Sequence, residues 1–322
     1  MCASDPAPLA RLSSSARATV IERTVDDPLL ASIGRTPLLP LRRLSELEDG
    51  RFELWAKAEF LNPTGSVKDR TALEIVRQAL AEGALGAGRI LLDASSGNTA
   101  VAYAMLGARL GFPVELCLPR NASPERIARI RGYGAAMTFT DPADATDGAQ
   151  REARRRSIEA PARYYYPDQY NHPANPGAHY RHTGPEVWEQ TSGRITDFVA
   201  GVGTGGTISG AGRFLKEQRG EIRVVGVEPS SPIHGLEGLK HLPSALRPGT
   251  YDARFVDATI RVETEVAQEM QHRLAIEEGL AVGVSSGAAV VGAIEVGRSH
   301  PGSVVVTLLP DADRRFSTTE LP

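Results

Sequence analysis

Residues 196–218 read TDFVAGVGTGGTISGAGRFLKEQ, and this stretch decides the class of fold. The apolar run at residues 196–203 predicts a strand, and residues 207–218 predict an amphipathic helix. The four glycines at the junction let the backbone approach a phosphate closely at the N-terminus of that helix. A strand, a glycine-rich turn and a helix in this order are typical of a phosphate-binding unit in an α/β fold.

The glycines of this turn allow two functional interpretations. Three of them match the dinucleotide-binding pattern G-x-G-x-x-G, and Glu228 ends the next strand where a ribose-binding acid would lie. Alternatively, Thr204 and Thr207 join the glycines in a cup for a single phosphate group. The P-loop pattern does not fit, because no lysine follows Gly206.

The rest of the chain alternates short apolar runs with amphipathic helices, beginning with predicted strands at residues 38–44 and 52–60. Such alternation implies parallel sheets with right-handed crossovers. The pattern occurs on both sides of a stretch rich in Pro and Asn at residues 167–177. We therefore expect two α/β domains with the active site in the cleft between them, beyond the carboxyl ends of the strands.

Composition excludes several classes of protein. A net charge of -3 provides no basic surface for nucleic acid, and no apolar run approaches the length of about 18 residues that a membrane span needs. The only cysteines are Cys2 and Cys117, which we interpret as free thiols in the reducing environment of the cytoplasm. Residues 1–35 are expected to form an N-terminal arm.

The stretch NPTGSVKDR at residues 62–70 carries the strongest catalytic candidate. Gly65 and Ser66 predict a tight turn, after which Lys68 opens a helix. The positive end of a helix dipole lowers the pKa of a lysine, and a neutral lysine can form a Schiff base and act as a base. A solvent-exposed lysine is the simpler alternative, but a plain helix start does not need the Asn-Pro-Thr-Gly-Ser sequence before it.

Two further segments, DASSGNTA at residues 93–100 and VGVSSGAAV at residues 282–290, also lie between a predicted strand and a predicted helix. Backbone N–H groups at such a junction can bind an anion, although an ordinary helix cap would look similar. His179 and His182 have a spacing that could chelate a metal. No third ligand lies near them in the sequence, so we predict no metal site and interpret both as surface or helix-capping residues.

Taken together, these segments resemble the cysteine synthase family of fold type II pyridoxal-phosphate enzymes. The match runs from IGRTPLL at residues 33–39 through NPTGSVKDR, SSGNT, QYNHPANPGAHYRHTGPE, GVGTGGTISG and VGVSSGA to VTLLPDADRRFST. It favours the phosphate cup over the dinucleotide site. It also implies two three-layer α/β domains of the tryptophan synthase β-like architecture, a smaller one at residues 62–172 and a larger one at residues 36–61 plus 173–322.

The resemblance implies a role for each matching residue. Lys68 would carry pyridoxal 5'-phosphate as a Schiff base, Asn98 would bond the ring hydroxyl of the cofactor, and Ser285 would face its pyridine nitrogen. The phosphate would be held by Gly203, Thr204, Gly205, Gly206 and Thr207. The carboxylate of the amino-acid substrate would be bound by Ser95, Ser96, Gly97, Asn98, Thr99 and Gln169.

The implied activity is synthesis of L-cysteine, in which sulfide replaces the acetoxy group of O-acetyl-L-serine. A cytoplasmic homodimer is implied as well, with serine acetyltransferase as a candidate partner. Arg35 stands where Asn is usual, and the segment VEPSSPIHGLEGLKH after the cup departs from the common pattern. Because that segment helps to set donor choice, sister enzymes that use O-phosphoserine, a sulfur-carrier thiocarboxylate or homocysteine remain alternatives. A dinucleotide-binding oxidoreductase and a non-catalytic regulator fit less well.

Overall fold

A computed structural model describes residues 27–86, 88–95 and 97–313 of the chain. The contacts between residues divide it into two compact units. The larger unit comprises residues 32–74 and 169–313, and the smaller unit comprises residues 27–31 and 75–168. Residues 62–74 thus belong to the larger unit, not to the smaller domain in which the resemblance places them, because Ser66 and Arg70 pair with other residues of the larger unit.

The chain contains strands and helices in regular alternation. The strands are β1 (Leu38–Pro40), β2 (Glu53–Ala58), β3 (Ile90–Ala94), β4 (Val114–Pro119), β5 (Ala136–Thr140), β6 (Tyr164–Tyr165), β7 (Asp197–Gly201), β8 (Arg223–Pro229), β9 (Ala258–Val262) and β10 (Val304–Leu309). The α-helices are α1 (Pro28–Ala31), α2 (Arg42–Glu46), α3 (Lys68–Ala81), α4 (Asn98–Leu110), α5 (Pro124–Gly132), α6 (Ala145–Glu159), α7 (Ala174–Ala178), α8 (Gly184–Gln190), α9 (Gly206–Gln218), α10 (Thr264–Glu278) and α11 (Val284–Ser299). A π-helical turn, His179–Thr183, joins α7 to α8.

The larger unit contains a six-stranded sheet in the order β1-β2-β10-β7-β8-β9. All pairs are parallel except β1 with β2, so the expected parallel sheet is confirmed apart from this edge. Every residue of the central strand β10 is buried, as expected for a strand that is covered on both faces. Val305 and Val306 pack into different apolar clusters, which places a core on each face of the sheet and gives three layers.

The strand predicted at residues 38–44 is wrong beyond Pro40. The chain there turns into helix α2, which buries Leu44 in the core while both of its arginines stay exposed. Leu41 and Leu44 are both buried, and their spacing of three residues is typical of a helix rather than of an extended strand.

The smaller unit contains a four-stranded parallel sheet in the order β5-β4-β3-β6. The β4 residues are all buried, and Cys117 in this strand is a free thiol. Cys2 lies outside the described residues. In each unit a strand of the parallel sheet leads directly into one of the segments singled out above, β3 into residues 95–99 and β7 into residues 201–207. No helix among the described residues is long and apolar enough to cross a membrane.

Candidate active site

Lys68 is the first residue of helix α3, and its position is set by the segment that follows strand β10. Gly65 has a φ of 83°, a left-handed conformation that turns the chain sharply before the helix. The Val67 N–H then donates to the Pro310 carbonyl at 2.8 Å, and Ser66 forms a β-bridge with Asp311. Lys68 is thereby held beyond the carboxyl end of β10.

The side chain of Lys68 is half-buried, and protein atoms desolvate its amine with little compensating charge nearby. Burial lowers its pKa, and the negative charge of Asp311 opposes that shift only in part. Among the described residues, no hydrogen bond or ion pair to the Lys68 Nζ is found. A lysine in this setting has a raised fraction of neutral amine, which is the nucleophilic form.

Two residues further along the helix, Arg70 lies in a dense network of buried charge. Its guanidinium donates to both carboxylate oxygens of Glu59, at 2.7 and 2.8 Å, and to both of Glu186, at 2.6 and 2.7 Å. Lys57 forms a second ion pair with Glu186 at 2.6 Å. Burial alone would raise the pKa of Glu186, but Arg70 and Lys57 lower it to about 2. The network therefore stays ionised and fixes the start of the helix.

The predicted phosphate cup is the turn between β7 and helix α9. Gly205 precedes the helix with a φ of 84°, which favours glycine. A Cβ at Gly203 would lie 2.1 Å from the carbonyl oxygen of Gly238, and a Cβ at Gly206 would lie 1.9 Å from the Oδ1 of Asn175. Only glycines fit these positions, and the N–H groups of the first helical turn, which lack partners within the helix, face the cup end of α9.

Asn175 and His179 contact the threonines of the cup, a role that was predicted for neither residue. The Asn175 amide donates to the Thr204 hydroxyl at 2.9 Å, and the Nε2 of His179 lies 3.2 Å from the Thr207 hydroxyl. Burial and the nearby Arg70 lower the pKa of His179 to about 3, so the ring is neutral. The interpretation of His179 as a surface or capping residue is therefore wrong.

Ser285 lies in the first turn of helix α11 and is 5% exposed. Its hydroxyl is 3.5 Å from the Oδ1 of Asp311. The approach of Asp311 also explains the glycine before the helix, because a Cβ at Gly283 would lie 2.2 Å from the same oxygen. Asp311 was not predicted as a site residue, although an acid placed directly after a strand of a parallel sheet is a recognisable signal.

The loop after β3 belongs to the smaller unit. Ser95 is buried and accepts a hydrogen bond from the Gly97 N–H at 3.2 Å, while Asn98 and Thr99 begin helix α4. Ser96 lies outside the described residues. The structure thus brings Lys68, the cup, Ser285 and Gln169 into the larger unit, and Ser95, Gly97, Asn98 and Thr99 into the smaller one.

The residues of the larger unit fit pyridoxal phosphate. Lys68 offers a desolvated amine to the aldehyde, and the cup offers a helix N-terminus lined with glycines to the phosphate. Ser285 adds a buried hydroxyl of the kind that could face a pyridine nitrogen.

Comparisons with known proteins point in the same direction. The family model described as pyridoxal-phosphate dependent enzyme matches residues 29–311. The chain is 47% identical over 304 residues to a cysteine synthase of Aquifex aeolicus, with 93% of each chain covered. It is 41% identical over 288 residues to cysteine synthase B of Salmonella typhimurium, covering 89% of this chain and 93% of the relative. A crystal structure of cysteine synthase from Entamoeba histolytica superimposes with a TM-score of 0.86 at 29% identity, covering 99% of this chain and 94% of the other.

Proposed function

Because this chain belongs to the family of pyridoxal-phosphate dependent enzymes, we propose that it is a cysteine synthase that replaces the acetoxy group of O-acetyl-L-serine with sulfide. The observation that carries the proposal is the desolvated Lys68 at the start of α3, in a chain that is 47% identical to a cysteine synthase. When bound, pyridoxal phosphate withdraws electrons from the α-carbon of the amino acid, which makes its proton removable.

Lys68 is the base in this proposal. Its Nζ would hold the cofactor, and when it is not bound to the cofactor the same atom would take the proton from the α-carbon of the substrate and later return it. The lowered pKa supports this role, because a base must be partly neutral near the working pH. The Arg70 network contributes by holding the first turn of α3 in place.

The remaining site residues bind and orient. The cup residues Gly203, Thr204, Gly205, Gly206 and Thr207 hold the phosphate, Ser285 faces the ring nitrogen and Asn98 bonds the ring hydroxyl. A serine hydroxyl is neutral, so it does not hold the ring nitrogen protonated as an aspartate would. That difference favours rapid β-elimination over transamination. The substrate carboxylate is bound by Ser95, Ser96, Gly97, Asn98, Thr99 and Gln169.

The choice of O-acetylserine over O-phosphoserine rests on charge. A phosphate ester brings close to two negative charges into the site, and arginine is the side chain best suited to pair with them. Ser230 and Ser231 follow Pro229 at the end of β8, where phosphoserine-using relatives commonly place an arginine. Arg247 stacks on Tyr251, with 5.0 Å from its guanidinium carbon to the ring centroid. An acetoxy group leaves as a single carboxylate and requires no such cation.

Two experiments test the proposal. Borohydride reduction of the yellow holoenzyme followed by peptide mapping should find the cofactor on Lys68, and a label on Lys57 or Lys240 would contradict the assignment. Sulfide-dependent cysteine formation should then show a larger kcat/KM with O-acetylserine than with O-phosphoserine. The reverse order would identify a sister enzyme and direct attention to Arg247 and Lys240.

We also propose that the protein is a cytoplasmic homodimer and that serine acetyltransferase is a partner. The support is the family resemblance alone. Light scattering of the purified protein measures its mass against the 34.4 kDa of one chain, and a monomer would contradict the first part. Co-elution with a purified serine acetyltransferase tests the second.

A further inference from the structure

Asp93 is a buried acid at the end of β3, two residues before Ser95, and the site described above does not use it. Its Oδ1 accepts a hydrogen bond from the Ala94 N–H at 2.7 Å. Its Oδ2 is buried and has no hydrogen-bond partner among the described residues, and the same is true of the hydroxyl of Tyr103 on helix α4. An unpaired buried polar group costs free energy, so this pair calls for an explanation.

The surroundings of Asp93 disfavour its charge. Burial raises its pKa to about 7, the Ala94 N–H and the Tyr103 hydroxyl lower it, and the negative charge of Asp168 raises it. Tyr103 and Asp93 thus act on one another, although no well-aligned hydrogen bond joins them. The titratable groups that face Asp93 are Tyr103, Tyr165, Tyr166, Cys117 and Asp168, none of which is a cation.

We propose that Asp93 and Tyr103 form a buried positioning pair next to the loop that begins at Ser95, and that the charge of Asp93 sets how tightly this loop holds a carboxylate. The inference rests on the proposed function, in which the loop binds the substrate carboxylate. The loop begins roughly 7 Å along the strand from Asp93, since two strand residues span that length. A negative charge at that distance in a poorly solvated site weakens carboxylate binding by about tenfold.

The sign of the effect follows from the direction of titration. Below its pKa Asp93 is protonated and neutral, and the loop binds a carboxylate without opposition. As the pH rises through about 7, Asp93 loses its proton to solvent and carboxylate affinity falls. By linkage, a bound carboxylate makes Asp93 harder to ionise, so substrate binding is accompanied by proton uptake at this residue.

Tyr103 supplies the hydroxyl that stabilises the ionised form, since it lowers the pKa of Asp93. Tyr103→Phe should therefore move the loss of affinity to higher pH. Asp93→Asn keeps the size of the side chain and can still accept from the Ala94 N–H, but it carries no charge at any pH. It should remove this pH dependence altogether.

The test uses the holoenzyme and L-alanine, an amino acid without a leaving group, whose binding is followed by the change in cofactor absorbance. The Kd of the native protein should rise about tenfold more than that of Asp93→Asn between pH 6 and pH 8.5. Asp141→Asn is the matched control, because Asp141 is an exposed acid that also accepts one backbone N–H, at 2.9 Å. It should behave as the native protein does.

Infrared titration of the ligand-free protein separates this inference from the proposed function. A carboxyl band that titrates near neutral pH should be present in the native protein and absent in Asp93→Asn. If L-alanine does not bind but that band is found, the proposed function fails and the buried acid stands. If the band is missing, or if Asp93→Asn keeps the native pH profile of binding, the inference is overturned.

Discussion

Lys68 and Arg70 lie two residues apart at the start of one helix, yet within the described part of the chain the charge of Arg70 is paired with carboxylates and that of Lys68 is not. Arg70 is 3% exposed and makes four hydrogen bonds shorter than 3 Å to Glu59 and Glu186. The Lys68 amine is desolvated without any such pairing among the described residues. Pairing raises the pKa of Arg70, whereas burial lowers that of Lys68.

The difference shows how a reactive amine can be kept in place. A desolvated lysine weakens the fold around it, because its charged form loses hydration without gaining a partner. The neighbouring guanidinium compensates by tying the helix to Glu59 after β2 and to Glu186 on α8. One cation thus provides structure so that the other can remain chemically available.

The largest expected effect comes from removing the available cation. Lys68→Ala should lower kcat for cysteine formation by at least about a thousandfold, because the proposed base is lost. Lys216→Ala is the control, since Lys216 pairs with Asp257 far along helix α9 and should leave kcat unchanged. Steady-state assays with O-acetylserine and sulfide measure both. A Lys68→Ala enzyme with the native kcat would show that Lys68 is not the base.

Removing the paired cation should instead weaken the fold. After Arg70→Met, Lys57 is the cation that remains beside the buried Glu59 and Glu186. Breaking a buried ion pair in this way costs roughly 3–5 kcal/mol of unfolding free energy. Arg194 also donates to both oxygens of a glutamate, Glu53, at 2.6 and 3.0 Å, but at the surface. Arg194→Met should therefore destabilise the protein much less than Arg70→Met does, because water screens an exposed ion pair. Urea unfolding compares them, and equal losses would show that burial does not distinguish the two pairs.

Replacing Lys68 by methionine should stabilise the fold, whereas replacing Arg70 by methionine should weaken it. Methionine fills similar space without an amine to desolvate, so the cofactor-free protein should gain roughly 1–3 kcal/mol of stability at neutral pH. The pKa of Lys68 is lower in the folded than in the unfolded chain. At pH values between these two pKa values, the unfolded chain therefore binds more protons than the folded chain does. Native stability therefore rises with pH across that window. The advantage of Lys68→Met should shrink as the pH approaches 10, and a constant difference would contradict the lowered pKa.

The sequence predicted the elements of this site whose signals are local. The glycines before α9 and the turn before α3 are contiguous, and each marks a strand-to-helix junction by residue type alone. The helix at residues 284–299 and the buried strand β4 were likewise visible as short periodic or apolar runs.

The partners of the charged residues could not be predicted in this way. Arg70 pairs with Glu59, which is 11 residues away in the sequence, and with Glu186, which is 116 residues away. No local sequence pattern indicates which acid a buried arginine will contact. The prediction for His179 was wrong for the same reason, because the partner of its ring, the Thr207 hydroxyl, comes from a distant segment. Pairings of this kind are fixed by tertiary packing, which becomes visible only when the elements are assembled.

The smallest expected effect concerns Asp311, whose negative charge acts on Lys68. Asp311 raises the pKa of Lys68 against the effect of burial, so Asp311→Asn should lower that pKa further. Asp313→Asn is the matched control, because Asp313 lies two residues away and its carboxylate accepts from the Gln271 amide at 2.7 Å. The pH dependence of amine labelling at Lys68 in the cofactor-free protein measures the shift directly. His179 also lies near Lys68, but its ring is neutral above a pKa of about 3 and should not interfere. A labelling profile shared by the native protein and Asp311→Asn would mean that burial alone sets the pKa of Lys68, and the contrast with Arg70 would then be sharper still.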